Sequence, residues 1–589
     1  MKAANTFRIT ACVSIILLCC FGRLSLAQDS PSGQDNPPTR VARTSFLRGK
    51  VSFLRAGIDQ WSEATLNFPV TTGDRFYTDV DGRAELQVGP YTVRLAGATD
   101  LTVTNLNDQI MQVGLEQGTL RITAHHLPST NTFEVDTPNG ALTLLEPGKY
   151  RVYVDPSGSG TTVSVNKGRL EVTAGDVSRT LQTNEAVRLT GYDPIQIESV
   201  PVPAGDSFDE WSEARDLHLS SSPSRKYVSE DIPGYDDLDA YGHWEEVVDY
   251  GPIWYPAGVV VDWVPYRFGH WVWVGPWGWT WVEDEPWGFC QFHYGRWVHI
   301  GLRWGWLPGP IVPVPIYAPA FVAFLGGPGF SISIGIGGGL VGWFPLGPGE
   351  PFFPWYHFGG DYLRVVNITN IRNVTNITNI TNITNINNVH YAYRTIATTA
   401  VRGDVFSSGQ SVARSMVKLT PQQLAKAQVI PHPNVNPTTR AALSGKPIPR
   451  PPVHPQPLAA ANPSGTRTVP GKGRQPVSPI TRNASVAGNG ARISPSPANL
   501  KKLPARGEAG RMPPMVPPRL ITRREPPPPR ILFDRERQAM LPHPGRALEP
   551  QQIENLRMGR RAGPMVDREF PPHVALSRQR TPPSPRPRS

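Results

Sequence analysis

The sequence has few cysteines, and this scarcity limits how the protein can be stabilised. Three of the four cysteines stand at positions 12, 19 and 20, so only Cys290 follows the first 27 residues. One cysteine cannot form an intramolecular disulfide framework. We therefore expect stability to come from packed β-sheets, with Cys290 as a half-buried, small apolar residue.

Patterns typical of catalytic and metal sites are also missing. The histidines show no His-x-x-x-His spacing, and no Cys-x-x-Cys occurs. The glycine-rich run 335–339 lacks the Lys-Ser/Thr that would hold a nucleotide. Adjacent acids at 283–285 normally point apart on a turn, so we expect a solvated turn rather than the paired carboxylates of a glycoside hydrolase. We predict no enzymatic activity, no cofactor and no metal site.

The first 27 residues have the pattern of a secretory signal peptide. An apolar run over 9–21 follows a short basic start, and Ser25 and Ala27 place small residues at −3 and −1 of a cut after Ala27. The run is short for a membrane span, although a retained N-terminal anchor is the alternative. We therefore predict an exported protein of the periplasm or the cell surface.

Short strands are predicted over residues 43–195, after a flexible leader over 28–42. Apolar and polar residues alternate in stretches such as 84–88 and 91–95, and turns such as the one at Gly73 separate them. No helical period lies between the strands, which indicates an all-β domain.

Turn glycines and strand residues of this domain carry a resemblance to a known family. The segments that begin at Gly73, Gly82, Val93, Thr137 and Val163 look like the FecR-type periplasmic domain. The sequence departs from that family at Gly148, where Gly-Lys-Tyr stands in place of Gly-Thr-x-Phe. The best-known members are inner-membrane regulators with a cytoplasmic anti-sigma segment and a transmembrane helix, and we expect neither in this chain. The resemblance implies an all-β fold and, as an alternative function, a periplasmic sensor of FecR-type signal transduction.

Residues 241–360 are rich in Trp, Gly and Pro and contain an internal repeat. Related units begin at Tyr241, Tyr266 and Phe292, and each has the pattern strand, Gly/Pro turn, strand. This pattern predicts three β-hairpins, which should stack or form one sheet because a lone hairpin is marginal. The repeat resembles an uncharacterised family of Trp-rich exported bacterial proteins that often carry an N-terminal FecR-like domain.

The clustered tryptophans have two interpretations. Flat apolar rings with one hydrogen-bond donor suit stacking on sugar rings or peptides, so exposed rings would bind cell-wall glycan or an envelope protein. The alternative is that the rings form the core of a small sheet. The candidate ligand-binding residues are Trp271, Trp273, Trp279, Trp281, Trp297, Trp304 and Trp306.

Two stretches next to or within this region are unusual in composition. Residues 304–349 carry no charge, but Pro and Gly interrupt them and 331–336 alternate, so we predict strands of the same sheet. A transmembrane helix over 311–346 is the alternative. In the triplet repeat over 361–390, Asn recurs every third residue from Asn367. That period would align Asn along one edge of an extended helix and permit self-association, but we favour a solvated spacer.

The remaining segments are predicted to lack a core of their own. Residues 196–240 are polar and acidic, which is typical of a linker, with a short helix near 207–217. Residues 391–589 are rich in Pro and Arg and are predicted to be disordered, apart from short helices at 421–428 and 550–558.

Charge is distributed unevenly along the chain. Residues 401–589 contain 31 Lys and Arg against 9 Asp and Glu, whereas the rest contains 27 against 39. The basic tail would attract anionic envelope polymers or lipid headgroups, and export excludes nucleic acid as a partner. We therefore expect a non-enzymatic envelope protein that binds or scaffolds cell-wall glycan or envelope proteins. A glycan-active enzyme is a further alternative.

Overall fold

The structure is a computed structural model that describes residues 36–327, 330, 339–359, 362–368, 370, 389–453, 520–523 and 528–563. The predicted signal peptide, the strand at 331–336 and residues 371–388 of the triplet repeat lie outside the described residues. The described part is mostly β, which confirms the predicted fold class.

Seventeen strands, β1–β17, form the first β-region. Their bounds are Ala42–Arg48, Val51–Leu54, Ser62–Glu63, Pro69–Val70, Arg75–Thr78, Arg83–Val88, Tyr91–Leu95, Asp100–Leu106, Ile110–Ala124, Thr132–Thr137, Gly140–Leu144, Gly148–Val154, Gly160–Lys167, Leu170–Ala174, Val177–Leu181, Glu185–Thr190 and Gln196–Val200.

The long strand β9 joins the two halves of this region. Its first half pairs in parallel with β10 and antiparallel with β8, and its second half pairs with β7 and β12. Inward-facing residues from both halves, such as Val113 and Ile122, are fully buried in one core. Alternation along each strand leaves the outward faces polar.

The predicted linker folds onto one of these polar faces. Helix α1 (Ser207–Ser221) confirms the predicted helix and begins with a capping box between Asp206 and Asp209. Its acids pair with arginines of the sheet, including Arg94 with Asp216 and Arg121 with Asp209. The linker interpretation is therefore wrong for α1, because its polar residues match a polar sheet face instead of solvent.

The three predicted hairpins are present. They are β18 with β19 (Gly242–Val247 and Gly251–Pro256), β20 with β21 (Gly269–Val274 and Gly278–Glu283), and β22 with β23 (Arg296–Ile300 and Arg303–Leu307). The first and third share a four-stranded sheet, and the second stands alone as a pair. Short helices α2 (Asp237–Tyr241) and α3 (Cys290–His293) precede the first and third hairpins.

The uncharged stretch continues in a separate sheet. Strands β24 (Val322–Gly326) and β25 (Leu340–Pro345) pair with each other, and they also pair with strands from the C-terminal part. The prediction that they extend the hairpin sheet is therefore wrong. None of the helices in the described ranges is long and apolar enough to cross a membrane.

The start of the asparagine repeat is helical where it is described. Helix α4 (Tyr362–Ile368) contains Asn367, which is buried, and Asn370 follows it. Asn367 Oδ1 accepts from Phe352 N at 2.8 Å, and Asn370 Oδ1 accepts from Gly295 N at 3.0 Å. These two asparagines are therefore structural clamps on the Trp-rich region, and the spacer interpretation is wrong for them.

Much of the predicted disordered tail is folded. Strands β26 (Thr399–Arg402) and β27 (Gln428–Ile430) complete the last sheet. The remaining helices of the described ranges are α5 (Gly403–Ser407), α6 (Pro421–Lys426), α7 (Phe533–Met540) and α8 (Pro550–Arg557), with 3₁₀ turns at Pro223–Lys226 and Thr439–Ala442. Helices α6 and α8 confirm the two predicted helices. Tail residues such as Phe406 pack into the core of the Trp-rich hairpins. The tail therefore folds although it lacks a core of its own.

Contacts from the N-terminal side join the first β-region to the Trp-rich region over 241–360, which forms the second β-region together with the strands of the C-terminal part. Arg43 is 1% exposed, and its Nη2 lies 2.6 Å from Asp237 and 2.9 Å from Pro286 O. Thr39, in the predicted leader, accepts from Tyr317 N at 2.8 Å. The described end of the leader is thus held in place rather than flexible.

A candidate ligand cavity between the β-regions

The structure places all seven candidate tryptophans in the core. Their exposed fractions are 1% for Trp271, 2% for Trp273, 0% for Trp279 and Trp281, 1% for Trp297, 8% for Trp304 and 0% for Trp306. A ring with so little exposed area has no face free for a sugar. The core interpretation therefore fits this structure, and the surface-stacking interpretation does not.

Segments remote in sequence cover the rings. Trp271 packs on Phe324, Trp343 and Phe406 at ring-centroid distances of 5.2, 5.5 and 5.4 Å. Trp279 Nε1 donates to Val435 O at 3.2 Å. Such rings stabilise a core through large buried area and edge-to-face contacts.

A cavity of about 640 Å³ lies where the first β-region, the second hairpin and the C-terminal part meet. This volume falls within the range of about 300–1,000 Å³ that is typical of small-molecule sites. Its walls include Thr102, Thr104, Glu116, Asp136, Trp273, Trp277, Leu520, Thr522, Arg530, Glu536 and Arg557. The outward polar face of β8–β10 forms one wall, and the Trp hairpin and α7–α8 form others.

Two buried carboxylates of this wall have an oxygen without a partner. Glu116 is fully buried and Asp136 is 2% exposed, and neither Glu116 Oε1 nor Asp136 Oδ1 has a hydrogen-bond partner among the described residues. Asp136 Oδ2 accepts from Gln112 Nε2 at 2.8 Å. Buried acceptors are normally satisfied; apart from Thr102 beside Glu116, and Glu134 and Thr522 beside Asp136, no described side chain offers these two carboxyl groups a further donor on the cavity side.

The electrostatic environment of these acids reinforces that indication. Burial raises the pKa of Asp136 well above its usual range, and the adjacent Glu134 raises it further. Burial and the nearby Asp100 raise the pKa of Glu116 in the same way, against the opposing effect of Arg75. Because a cation would favour the charged forms, an ammonium or a group rich in N–H or O–H donors fits this wall.

Other walls of the cavity offer the opposite charge and apolar surface. Arg40 and Arg557 both line it, and Arg40 Nη2 and Arg557 Nε have no partner within the described ranges. Half-buried Ile531 and Ile553 add apolar area, whereas Trp273 and Trp277 are 2% and 1% exposed; Trp273 Nε1 donates to Glu536 at 3.4 Å. The cavity can therefore hold a ligand that carries both acidic and basic groups beside an apolar or sugar portion.

The acidic turn differs from the solvated turn that was expected. Glu283 is 2% exposed and accepts from Trp281 Nε1 at 2.9 Å, while Asp284 remains exposed. Burial raises the pKa of Glu283 well above its usual range, and Asp284 and Glu285 add to this. The carboxyl group is therefore a neutral core group at acidic pH, enclosed by the Trp hairpin.

Histidine and cysteine contribute no candidate centre to the described part of the chain. No group of three or more His, Cys, Asp or Glu side chains there is arranged to hold a metal ion. Cys290 is fully buried, rather than half-buried as expected.

Sequence reasoning did not find the cavity. Glu116 and Asp136 alternate with apolar residues on their strands, which is the ordinary pattern of a solvent-facing side chain. Their burial depends on Leu520, Thr522 and the helices that follow, which are some 400 residues away in sequence. The unusual density of polar residues on both outward faces of the first β-region was the sequence signal that could have indicated covering segments.

Comparison with known proteins characterises the hairpin region. Residues 235–350 match the family of unknown function DUF6600. The match covers about a fifth of the chain and coincides with the Trp-rich hairpins. No curated protein matches the chain.

Two crystal structures of a candidate anti-sigma factor from Parabacteroides distasonis share a distant likeness. Each is 17% identical, with TM-scores of 0.20 and 0.17, and the likeness covers 22% and 26% of this chain. The chain spans 60% and 61% of those structures' lengths. Likeness at these scores does not decide the fold or the function, so the FecR-type resemblance stays a prediction.

Proposed function

We propose that this protein is a non-enzymatic, exported envelope protein that binds a small cell-wall fragment in the cavity and holds envelope partners around it. The observation that carries the proposal is the pair of buried, unpartnered carboxylate oxygens of Glu116 and Asp136 in a cavity of about 640 Å³. The pattern of a signal peptide over residues 1–27 supports export.

The chemistry of the cavity favours a fragment that joins sugar and peptide. Half-buried Ile531 and Ile553 offer apolar contact to a sugar ring. Glu116 and Asp136 accept from an ammonium, and Arg40 and Arg557 suit a carboxylate. A soluble muropeptide carries all three groups, whereas a fully acetylated chitooligosaccharide carries only the sugar rings.

The experiment is a calorimetric titration of soluble muropeptides into the protein that comprises residues 28–589. We expect binding to the wild-type chain and at least about tenfold weaker binding by Asp136→Asn and by Glu116→Gln. Loss of one charge-assisted hydrogen bond is worth roughly 1.5–3 kcal/mol, and about 1.4 kcal/mol is tenfold in affinity.

A matched acid outside the cavity serves as the control. Asp284 is 54% exposed on the Trp hairpin and does not line the cavity, so Asp284→Asn should bind like the wild type. The chitooligosaccharide should bind more weakly than the muropeptides. Absence of muropeptide binding, or equal binding by all three variants, would contradict the proposal.

A further inference from the structure

Residues 528–533 cross from one side of the cavity to the other, and we call them the latch. Most of them line the cavity, namely Pro528, Pro529, Arg530, Ile531 and Phe533. At one end the latch leads into α7, which packs on the Trp-rich side: Trp273 Nε1 donates to Glu536, and Met540 is fully buried. Before α7, the latch rests on the first β-region.

Gly57 of the first β-region receives the backbone of the latch. Gly57 has a φ of +77°, and a Cβ at this position would lie 2.2 Å from Ile531 O. Phe533 N donates to Gly57 O at 2.9 Å. Glycine alone combines this backbone conformation with so close an approach. The latch is therefore docked at a backbone position that one added methyl group would disturb.

A charged side chain makes the second polar contact between the latch and the first β-region. Arg530 Nη2 donates to Gly73 O at 2.9 Å. Although partial burial and Arg75 lower the pKa of Arg530, Asp74 and Glu116 act in the opposite direction. The acids of the first β-region thus attract the latch. Because Arg530 also lines the cavity, its guanidinium can meet the carboxylate of a ligand there.

The outer side of the latch faces solvent. Pro529, Arg530 and Leu532 are exposed, whereas Phe533 is 6% exposed. Among the described residues, the two hydrogen bonds to Gly57 and Gly73 are the polar contacts that join the latch to the first β-region. Segments with few buried apolar contacts and few hydrogen bonds open locally at a low cost in free energy. The latch is therefore a weak wall of the cavity, next to the well-anchored helix α7.

We propose that the latch lifts from Gly57 to admit the ligand and then closes over it, with α7 as the fixed end. The inference rests on the proposed function, because it concerns entry to the same cavity. Pro528 and Pro529 favour movement of a stiff arm, since each ring fixes its own φ and neither residue has an N–H to bond. A bound ligand contacts Arg530 and Ile531 only when the latch is closed, so it shifts the population toward the closed state.

Hydrogen exchange at the Phe533 amide tests the opening without any ligand. In the protein that comprises residues 28–589, mass spectrometry should show this amide exchanging at least about tenfold faster than the amides of β9. Gly57→Ala should speed it at least about tenfold further, because a Cβ there is strained and meets Ile531 O. The control is Gly89→Ala, since Gly89 also has a positive φ but nothing lies within 4 Å of an added Cβ. Exchange as slow as in β9, or equal effects of the two alanines, would overturn the proposal.

A cross-link that holds the latch closed tests ligand entry and avoids the glycine substitutions. Asp59 and Leu532 are exposed, and neither lines the cavity. Asp59→Cys and Leu532→Cys, joined by a short bis-maleimide, should keep the latch on Gly57. Cys290 is buried, so only the introduced thiols should react. We expect a fluorescently labelled soluble muropeptide to associate at least about tenfold more slowly with the cross-linked protein.

The matched control is the same double variant with each thiol capped by N-ethylmaleimide, which should bind the muropeptide at the wild-type rate. Equal association rates in the cross-linked and capped proteins would overturn the latch and leave the proposed function intact. Absence of muropeptide binding by the wild-type protein would instead overturn the proposed function and, with it, ligand entry beneath the latch. The exchange of the Phe533 amide decides in either case whether the latch opens.

Discussion

Replacing Arg94 with methionine should destabilise the first β-region more than any exposed charge substitution. Arg94 is fully buried between α1 and the sheet; its Nε lies 2.7 Å from Glu85 Oε2 and its Nη1 lies 2.6 Å from Asp216 Oδ1. Removing one member of a buried ion pair leaves an uncompensated charge and destabilises by about 3–5 kcal/mol. Glu85 keeps Arg215, and Asp216 keeps Lys149, so we expect the lower end of that range, about 3 kcal/mol.

The same loss should depend on pH. Although burial alone would raise it, Arg94 and Arg215 hold the pKa of Glu85 at about 2. A carboxylate with a depressed pKa stabilises the folded state above its unfolded pKa, near 4.3, and this stabilisation is lost as the pH falls toward 2. The difference between Arg94→Met and wild type should therefore shrink between pH 5 and pH 3.

Thermal and urea unfolding followed by circular dichroism at pH 7 and pH 3.5 measures both effects. The control is Arg83→Met, because Arg83 also contacts α1, at Ser207, but is only half-buried; we expect a loss below about 1 kcal/mol. A loss below 1 kcal/mol for Arg94→Met at pH 7, or the same loss at pH 3.5, would refute the reasoning.

Three further substitutions test other parts of the account. Trp306 is fully buried and its Nε1 donates to Tyr294 O at 2.8 Å. Trp306→Ala should therefore lower the free energy of unfolding by about 3–5 kcal/mol and leave the muropeptide affinity of the folded protein unchanged. A large loss of affinity without a loss of stability would instead support the surface-stacking interpretation. Glu283→Gln should raise the melting temperature at pH 8 and have less effect at pH 4.5. A carboxyl group with a raised pKa stabilises the folded state at low pH and loses that contribution as the pH rises. An equal effect at both pH values would show that the pKa of Glu283 is not raised in the folded state. Asn370→Ala should lower the free energy of unfolding by about 1–3 kcal/mol, since Gly295 N and Ile316 O lose their partner. Calorimetry that shows no loss of stability would contradict the structural role of Asn370.

The sequence predicted the strands, the hairpins and three helices because each depends on local signals. Alternation marks strands, glycine marks turns, and Asp206 and Thr420 stand where capping boxes begin two of the helices. These signals lie within a few residues of the element that they define. They therefore carry over into the structure without knowledge of tertiary contacts.

The failures share a different cause. The sequence places polar segments in solvent. In the structure, α1 lies on one polar sheet face through ion pairs, and residues 520–523 lie on a second polar face that includes Gln112 and Glu134. The sequence leaves the tryptophans open between a core and a ligand-binding surface, but Phe324, Phe406 and residues near 435 cover the face of the second hairpin that carries Trp271 and Trp279. Burial that arises from segments more than fifty residues away leaves no local pattern.

The proton linkage of ligand binding tests the cavity most directly. Asp136 must lose its proton to pair with an ammonium, and its pKa is raised in the free protein by burial and Glu134. Calorimetric titration of muropeptides into residues 28–589 should therefore show affinity that rises from pH 5.5 to pH 8, with protons released on binding and a weaker dependence in Asp136→Asn. Affinity that is independent of pH, or an identical dependence in wild type and Asp136→Asn, would contradict the account.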